Sequence, residues 1–393
     1  MLNQKELRLL IHHHHLAFVD TDGKIWLSSN IGRWIDSMAP HVKEIGLLLY
    51  ETKTHEDQQD TVIYSSNVKL FSLGEREELF RRIVHSKSIK NVCKNASKNA
   101  DGLLIRGITP HQYIIWKFTH VKNKAFFMIE EMGFRDQKLN FSLNSFFFYL
   151  LGQLRRKELY KIASGNTLLL ANSPRTAFDM SKVFKRETHF VPTNSIYKSE
   201  FASFNIHKIS TNPKLLYCGR LDLKKGLREL FFAMNILAHQ GIICRLDLVA
   251  ATKEPTFSKL VELASFLNIS DQINWHGVIP YGQQLFAYYR QADIFLLPSY
   301  SEGFPKVFWE AAANCCPVII TSVGGIPTLL KNEEHALLIP PKDEEAIVKA
   351  IKLLLLNEPL RQQIATGAYE FAKSYTSEAC GLKLVKILNS SWN

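Results

Sequence analysis

No stretch of the sequence reaches the ~18 consecutive apolar residues of a membrane-crossing helix, so no such span is expected. The opening MLNQKELRLLI runs from charge into five apolar residues and then into histidines, which is not the long apolar core of a signal peptide. Paired cysteines are lacking too. The six present, Cys93, Cys218, Cys244, Cys315, Cys316 and Cys380, have neither zinc-site spacing nor that of a secreted disulfide framework, so reduced thiols in a cytoplasmic protein are expected. Helix-turn-helix, RNA-binding and zinc-finger patterns are missing, and Lys and Arg are spread rather than gathered in a tail. The formal charge of +11 is therefore not read as a nucleic-acid footprint. An anionic membrane surface or a phosphorylated small molecule remains as its partner.

What is there fits two folded domains. The chain has 393 residues, 46% of them hydrophobic and 22% charged, enough for two units that each bury a core. Short apolar strands alternate with amphipathic helices: LRLLI, IGRWIDSMAPHV, EIGLLLYE, then DGLLIRG, KAFFMIEE and NTLLLANS. A second series runs from KLLYCGR through CRLDLVA, QINWHG and DIFLLPS to CPVIITS and HALLIPP. Alternation of this kind predicts βαβ units around parallel sheets, an α/β protein of two doubly wound domains. Residues 1–194 form the first domain in this reading and 213–375 the second. The Ser-, Asn- and Pro-rich stretch 195–212 joins them. SYTSEACGLKLVKILNSSW predicts a terminal helix over 376–393, with Thr376 as its N-cap.

Chemistry concentrates in three loops that follow strands. Gly219-Arg220-Leu221-Asp222-Leu223-Lys224-Lys225-Gly226 lies between the strand LLYC and a helix. Glycine admits close backbone approach, a helix start favours negative charge, and Arg and Lys grip phosphate oxygens, so this turn can hold a diphosphate without a metal. An Arg220–Asp222 pair with solvated lysines is the plain alternative. Ser301-Glu302-Gly303-Phe304-Pro305 leads into a second helix, with Pro305 in its first turn and Glu310 inside it. Eight residues at ~1.5 Å rise separate the two carboxylates by about 10 Å, too far for a glycosidase pair at ~5 Å and better suited to gripping hydroxyls. Glu302 could equally stabilise the helix dipole. The pair Gly324-Gly325, after the strand PVIIT, can offer backbone N–H groups to phosphate or sugar oxygens.

GRLDLKKG followed by QADIFLLPSYSEGFPKVFWEAAANCCPVIITSVGGIP resembles the C-terminal half of the family 4 (group 1) retaining glycosyltransferases of GT-B fold, over residues 213–375. The resemblance implies two Rossmann-like domains facing a cleft, with the C-terminal helix crossing back to the first. It implies a nucleotide-diphosphate-sugar donor on the second domain, a glycan or lipid-linked acceptor on the first, and transfer with retained configuration. Arg220 and Lys225 match the family's pyrophosphate pair, which would neutralise the leaving nucleotide without a metal or other cofactor. Glu302 matches the contact to donor sugar hydroxyls, Glu310 the ribose contact, and Gly303 and Phe304 a backbone that approaches the sugar. Catalysis thus falls to Arg220, Lys225 and Glu302. Pro305 stands where many members have glycine and has no N–H to donate. The implied role is surface polysaccharide, lipopolysaccharide or glycolipid synthesis at the inner face of a membrane. Rivals are an inverting or epimerising enzyme of the same fold, and a sugar-nucleotide-binding partner without turnover.

The first half follows the family less closely. DTDGK reads as a hairpin turn inserted ahead of Gly32, which is matched to the family's loop glycine. His12 to His15 tempt a metal reading, but consecutive strand residues face opposite ways, so cleft lining or surface is preferred. One of them, or His111, is a candidate for contact with acceptor or sugar. Arg106 and Glu130 sit at strand ends where they can face the cleft, an ion pair between Arg106 and the Glu130-Glu131 dipeptide being the plain alternative. The stretch 141–157, with Phe146, Phe147 and Phe148 ahead of Arg155 and Arg156, reads either as a segment lying on an anionic bilayer or as a core helix with a charged end.

Overall fold

The computed structural model describes residues 6–75, 86–109, 111–129, 157–206, 208–209, 211–251 and 255–392. The chain divides into two units, Met1–Ser195 with Ser377–Asn393, and Ile196–Thr376. Glu130 and, apart from Lys157, the stretch 141–157 lie outside the described residues. Among the described residues no helix is long and apolar enough to cross a membrane.

The first unit carries β1 (Arg8–His12), β2 (Phe18–Val19), β3 (Ile25–Leu27), β4 (Glu44–Glu51), β5 (Thr61–Val62), β6 (Val68–Glu75), β7 (Gly102–Arg106), β8 (Asn123–Met128), β9 (Thr167–Ala171) and β10 (Thr188–Phe190). Seven of these form a parallel sheet in the order β10-β9-β8-β7-β1-β4-β6. The strands are apolar on both faces because both faces are covered. Leu9, Ile11, Leu47, Leu49, Leu104 and Phe127 belong to one core layer, and the alternate residues Leu10, Leu48, Leu103, Ile105 and Phe126 to the other. The DTDGK turn closes an antiparallel β2–β3 pair: Asp20 Oδ1 accepts from Asp22 N and Lys24 N, and Gly23 takes φ +78°.

The terminal helix, Ser377–Trp392, contributes Leu384, Val385 and Leu388 to the core of this first unit. It packs on the helix Ser29–Met38, where a Cβ on Gly381 would stand 2.5 Å from Ser37 O. Only glycine lets the two backbones come so near.

The second unit carries β11 (Lys214–Cys218), β12 (Arg245–Val249), β13 (Ile273–Gly277), β14 (Ile294–Leu297), β15 (Val318–Thr321) and β16 (Leu337–Ile339), in the parallel order β13-β12-β11-β14-β15-β16. Residues 195–212, read from composition as a linker, are divided. Ser195 closes the first unit, while the segment from Ile196 on docks on the second. Ile196 is fully buried there, Ala202 N donates to Ala313 O (3.0 Å), and Tyr369 donates its hydroxyl to Ala202 O (2.9 Å). Apolar anchors in a polar segment override its loop-like composition.

Candidate functional site

In both sheets the first strand of the unit is central and the winding reverses beside it, and in open α/β sheets ligands bind at that reversal, outside the carboxyl ends of the strands. In the second unit the reversal falls between β11 and β14. The two charged loops follow those two strands, so sequence positions some 80 residues apart become neighbours.

After β11 the turn is built by its own side chains. Asp222 caps a short 3-10 helix, Leu223–Lys225, by accepting from Lys224 N at 2.9 Å. That is its structural task; no Arg220–Asp222 ion pair occurs among the described residues, and Arg220 is exposed. Tyr217, buried in the core, donates its hydroxyl to Arg220 O (2.8 Å) and fixes the backbone beside Gly219. Gly226 takes φ +71° and starts the helix Leu227–His239, whose free N–H groups face the loop. A Cβ there would lie 2.8 Å from the Pro298 carbonyl carbon and nearer still to its oxygen. Tyr300 N donates to Lys224 O (2.8 Å), so the two loops are stitched together.

Across that seam Lys225 Nζ meets Glu302 Oε1 at 2.5 Å, with side chains only 15% and 12% exposed. The pair is largely desolvated, so removing either partner would leave an uncompensated charge, at a cost of roughly 3–5 kcal/mol. Glu302 lies in the loop before the helix Lys306–Ala313, as the spacing implies. Pro305 is one step outside that helix, at its N-cap position rather than in its first turn. Phe304 folds its ring onto Trp309 (centroids 5.0 Å), which holds the Gly303-Phe304 backbone in place.

Glu310 is no surface residue. It is 7% exposed and Oε2 accepts from the Tyr289 hydroxyl at 2.8 Å. Burial, then Cys218 and Glu310, push the Tyr289 phenol well above its ordinary range, so it remains a donor. Sequence reading missed Tyr289, which sits with Leu285 and Phe286 on a helix face that reads as core. A buried tyrosine needs an acceptor for its hydroxyl, and that need was the available signal. Gly325 corrects an expectation: its N–H is already donated to Gly303 O (3.0 Å) and does not await a ligand. Gly324 beside it is half-buried with φ +56°.

The family model described as "Glycosyl transferases group 1" matches residues 199–371. The second unit therefore resembles the group 1 glycosyltransferases. A D-inositol 3-phosphate glycosyltransferase of Corynebacterium diphtheriae is 32% identical over 180 residues, 44% of this chain and 41% of its own length. A putative teichuronic acid biosynthesis glycosyltransferase of Bacillus subtilis, TuaC, is 34% identical over 39% of this chain and 36% of its own. The chain thus spans less than half the length of these curated relatives. HepE of Anabaena, solved with UDP-glucose, is similar over 98% of this chain and 100% of its own at a TM-score of 0.66 and 14% identity. The fold, two Rossmann-like units in one chain, is that of the GT-B glycosyltransferases.

In the first unit the expected residues part company. Gly32 is not in a loop: it lies inside the helix Ser29–Met38, where a Cβ would stand 3.1 Å from Thr61 Cγ2, so its smallness serves the packing of β5. His111 is 5% exposed, takes φ +60° at a helix start, and its Nδ1 pairs with the Tyr50 hydroxyl at 2.7 Å. Arg106 ends β7 at 3% exposure and makes no ion pair with a carboxylate among the described residues. The alternation argument about the histidines holds only as far as His12, where β1 stops. His12 turns inward to Leu48 O (2.6 Å) and Thr109 Oγ1 (2.7 Å). His13, His14 and His15 lie on a turn, with ring nitrogens within 4.8 Å of one another.

Proposed function

We propose that the protein transfers a glycosyl group from a nucleotide-diphosphate sugar to a glycan or lipid-linked acceptor, with retention and without a metal. The supporting observation is the Lys225–Glu302 pair at the reversal point of the second unit, beside exposed Arg220 and a helix start. In this reading Arg220 and Lys225 take the diphosphate, Glu302 orients a sugar hydroxyl, and Glu310, held by Tyr289, grips the ribose. The anomeric C–O bond breaks with its electron pair going to the leaving phosphate oxygen. The acceptor oxygen bonds to the same carbon on the same face and its proton passes to the departing phosphate. Fixed cations stabilise the charge as it grows. The UDP-glucose bound to HepE and the teichuronic acid biosynthesis named for TuaC support this donor class and a role in cell-surface glycan synthesis.

Lys225→Ala and Glu310→Ala should each lower transfer by about 10²–10³-fold, in line with loss of one charge-stabilising contact, with the circular dichroism of the fold retained. Unchanged turnover in either variant refutes its role. Transfer should persist in excess chelator, and a strict Mg²⁺ requirement would overturn the cation-pair mechanism. A thermal-shift panel of UDP-, GDP- and ADP-sugars identifies the donor, since a bound ligand stabilises by mass action.

A further inference from the structure

The first unit has its own reversal point, between β1 and β7, and there the described residues gather an arginine and three histidines. Arg106 is the last residue of β7 and His13 the first beyond β1, and Arg106 Nη1 stands 3.3 Å from His13 Nε2. Arg106 is 3% exposed, its guanidinium lies over the Trp34 ring at 4.4 Å, and its Nε meets no acceptor. A buried cation needs a counter-charge, and no carboxylate among the described residues supplies one. Burial pushes its pKa down to about 9, which leaves it charged at neutral pH.

His13 carries the argument one step further. Its Nδ1 accepts from His15 N at 3.1 Å, and a neutral imidazole has one acceptor nitrogen and one N–H. Nε2 is then the N–H, and it faces Arg106 Nη1 donor to donor. Two buried donors converging at 3.3 Å are satisfied by one acceptor placed between them, and an oxyanion supplies it. His15, tied by Nδ1 to Ser28 Oγ at 2.7 Å, and exposed His14 continue the set toward solvent. The histidine trio alone has metal-ligand spacing, but the guanidinium beside one ring nitrogen repels a cation and attracts an anion.

We propose that the β1–β7 reversal point is an anion site that takes a phosphoryl group, with Arg106 as its fixed cation and the His13–His15 turn as its hydrogen-bonding rim. That the phosphoryl group belongs to the acceptor rests on the function proposed above; the anion site does not.

The test is calorimetric titration of the full chain with inorganic pyrophosphate in chelator, for wild type, Arg106→Gln, His14→Gln and Lys225→Ala. Two binding events are expected in the wild type. Arg106→Gln removes one or weakens it by at least about tenfold, the scale of one charge-assisted hydrogen bond, and Lys225→Ala removes the other. His14→Gln, at an exposed position, weakens the first event about threefold or more and keeps the proposal testable if Arg106→Gln fails to fold. Pyrophosphate binding that Arg106→Gln and His14→Gln leave unchanged overturns the site. So does stoichiometric binding of Zn²⁺ to the wild type with no Arg106-dependent pyrophosphate event. Loss of the Arg106-dependent event alone, with Lys225→Ala binding like wild type, keeps the site and sinks the donor reading instead. Flotation with phosphatidylcholine vesicles containing a polyprenyl phosphate separates the sources. Arg106-dependent capture assigns a lipid-borne phosphoryl group, and capture unaffected by Arg106→Gln, with pyrophosphate binding still dependent on it, assigns a soluble one.

Discussion

Gly226→Ala tests the seam between the two loops of the second unit, and Gly241→Ala separates its two effects. Both glycines have positive φ, +71° and +77°. Around Gly241 a Cβ would meet nothing within 4 Å, so alanine there pays only for the left-handed backbone, about 1–2 kcal/mol. At Gly226 the same strain adds to a collision with Pro298. The new methyl would stand 2.8 Å from the carbonyl carbon, and ordinary contact begins near 3.4 Å, so the β14 loop must retreat by about 0.6 Å or more. Forcing a packed backbone apart costs ~1–3 kcal/mol on top. The total is roughly 2–5 kcal/mol, and at ~2–4 °C per kcal/mol for a unit of this size Tm falls by roughly 4–20 °C, against roughly 2–8 °C for Gly241→Ala. Differential scanning calorimetry reads both. The retreat also moves Glu302 away from Lys225, so nucleotide affinity should fall in Gly226→Ala and remain in Gly241→Ala. Equal Tm losses and equal affinities in the two variants would refute the packing argument.

Two further outcomes follow from buried polar groups. Tyr289→Phe deletes the hydroxyl that donates to Glu310 Oε2, so nucleotide binding should weaken about 5- to 100-fold by calorimetry while far-ultraviolet circular dichroism is retained, the range for loss of a buried hydrogen bond to a charged group. The His13 pKa is held below the ordinary 6.5, first by burial, then by Arg106 and the charges of His14, His15 and His12. Below about pH 6.5 the unfolded chain therefore binds a proton that the folded chain refuses, and stability should fall with falling pH; His13→Gln should flatten that slope in urea titrations run from pH 7.5 to 5.5.

What could be read from the sequence was local. The strands EIGLLLYE, DGLLIRG and DIFLLPS announce themselves because parallel strands are apolar on both faces, and the charged loops stand out because each is contiguous. The contacts that give those loops their geometry are not contiguous. Lys225 and Glu302 are 77 residues apart, and Arg106 and His13 are 93 apart. Composition misjudged 195–212 because Ile196 and Phe201 outweigh the surrounding Ser and Asn once a helix surface is there to receive them. The histidine run was misjudged for another reason: period-2 alternation describes a strand, and β1 ends at His12, which frees the next three rings to gather on one side.

The two reversal points handle positive charge in opposite ways, and the difference bears on what each can do. Lys225 is neutralised by Glu302, so as a pair they exert little long-range attraction. In the proposed function, drawing in a diphosphate would then fall to exposed Arg220 and the helix start at Leu227, with Lys225 acting at contact range. Such a division suits a leaving group whose charge grows only as the bond breaks, because a preset ammonium need not reorganise at that moment. Arg106 has no carboxylate partner among the described residues, and the Trp34 face, which favours a cation only weakly, is its main support. A guanidinium that the described residues leave without a counter-charge suits the proposed anion-binding role better than that of a preset catalytic group.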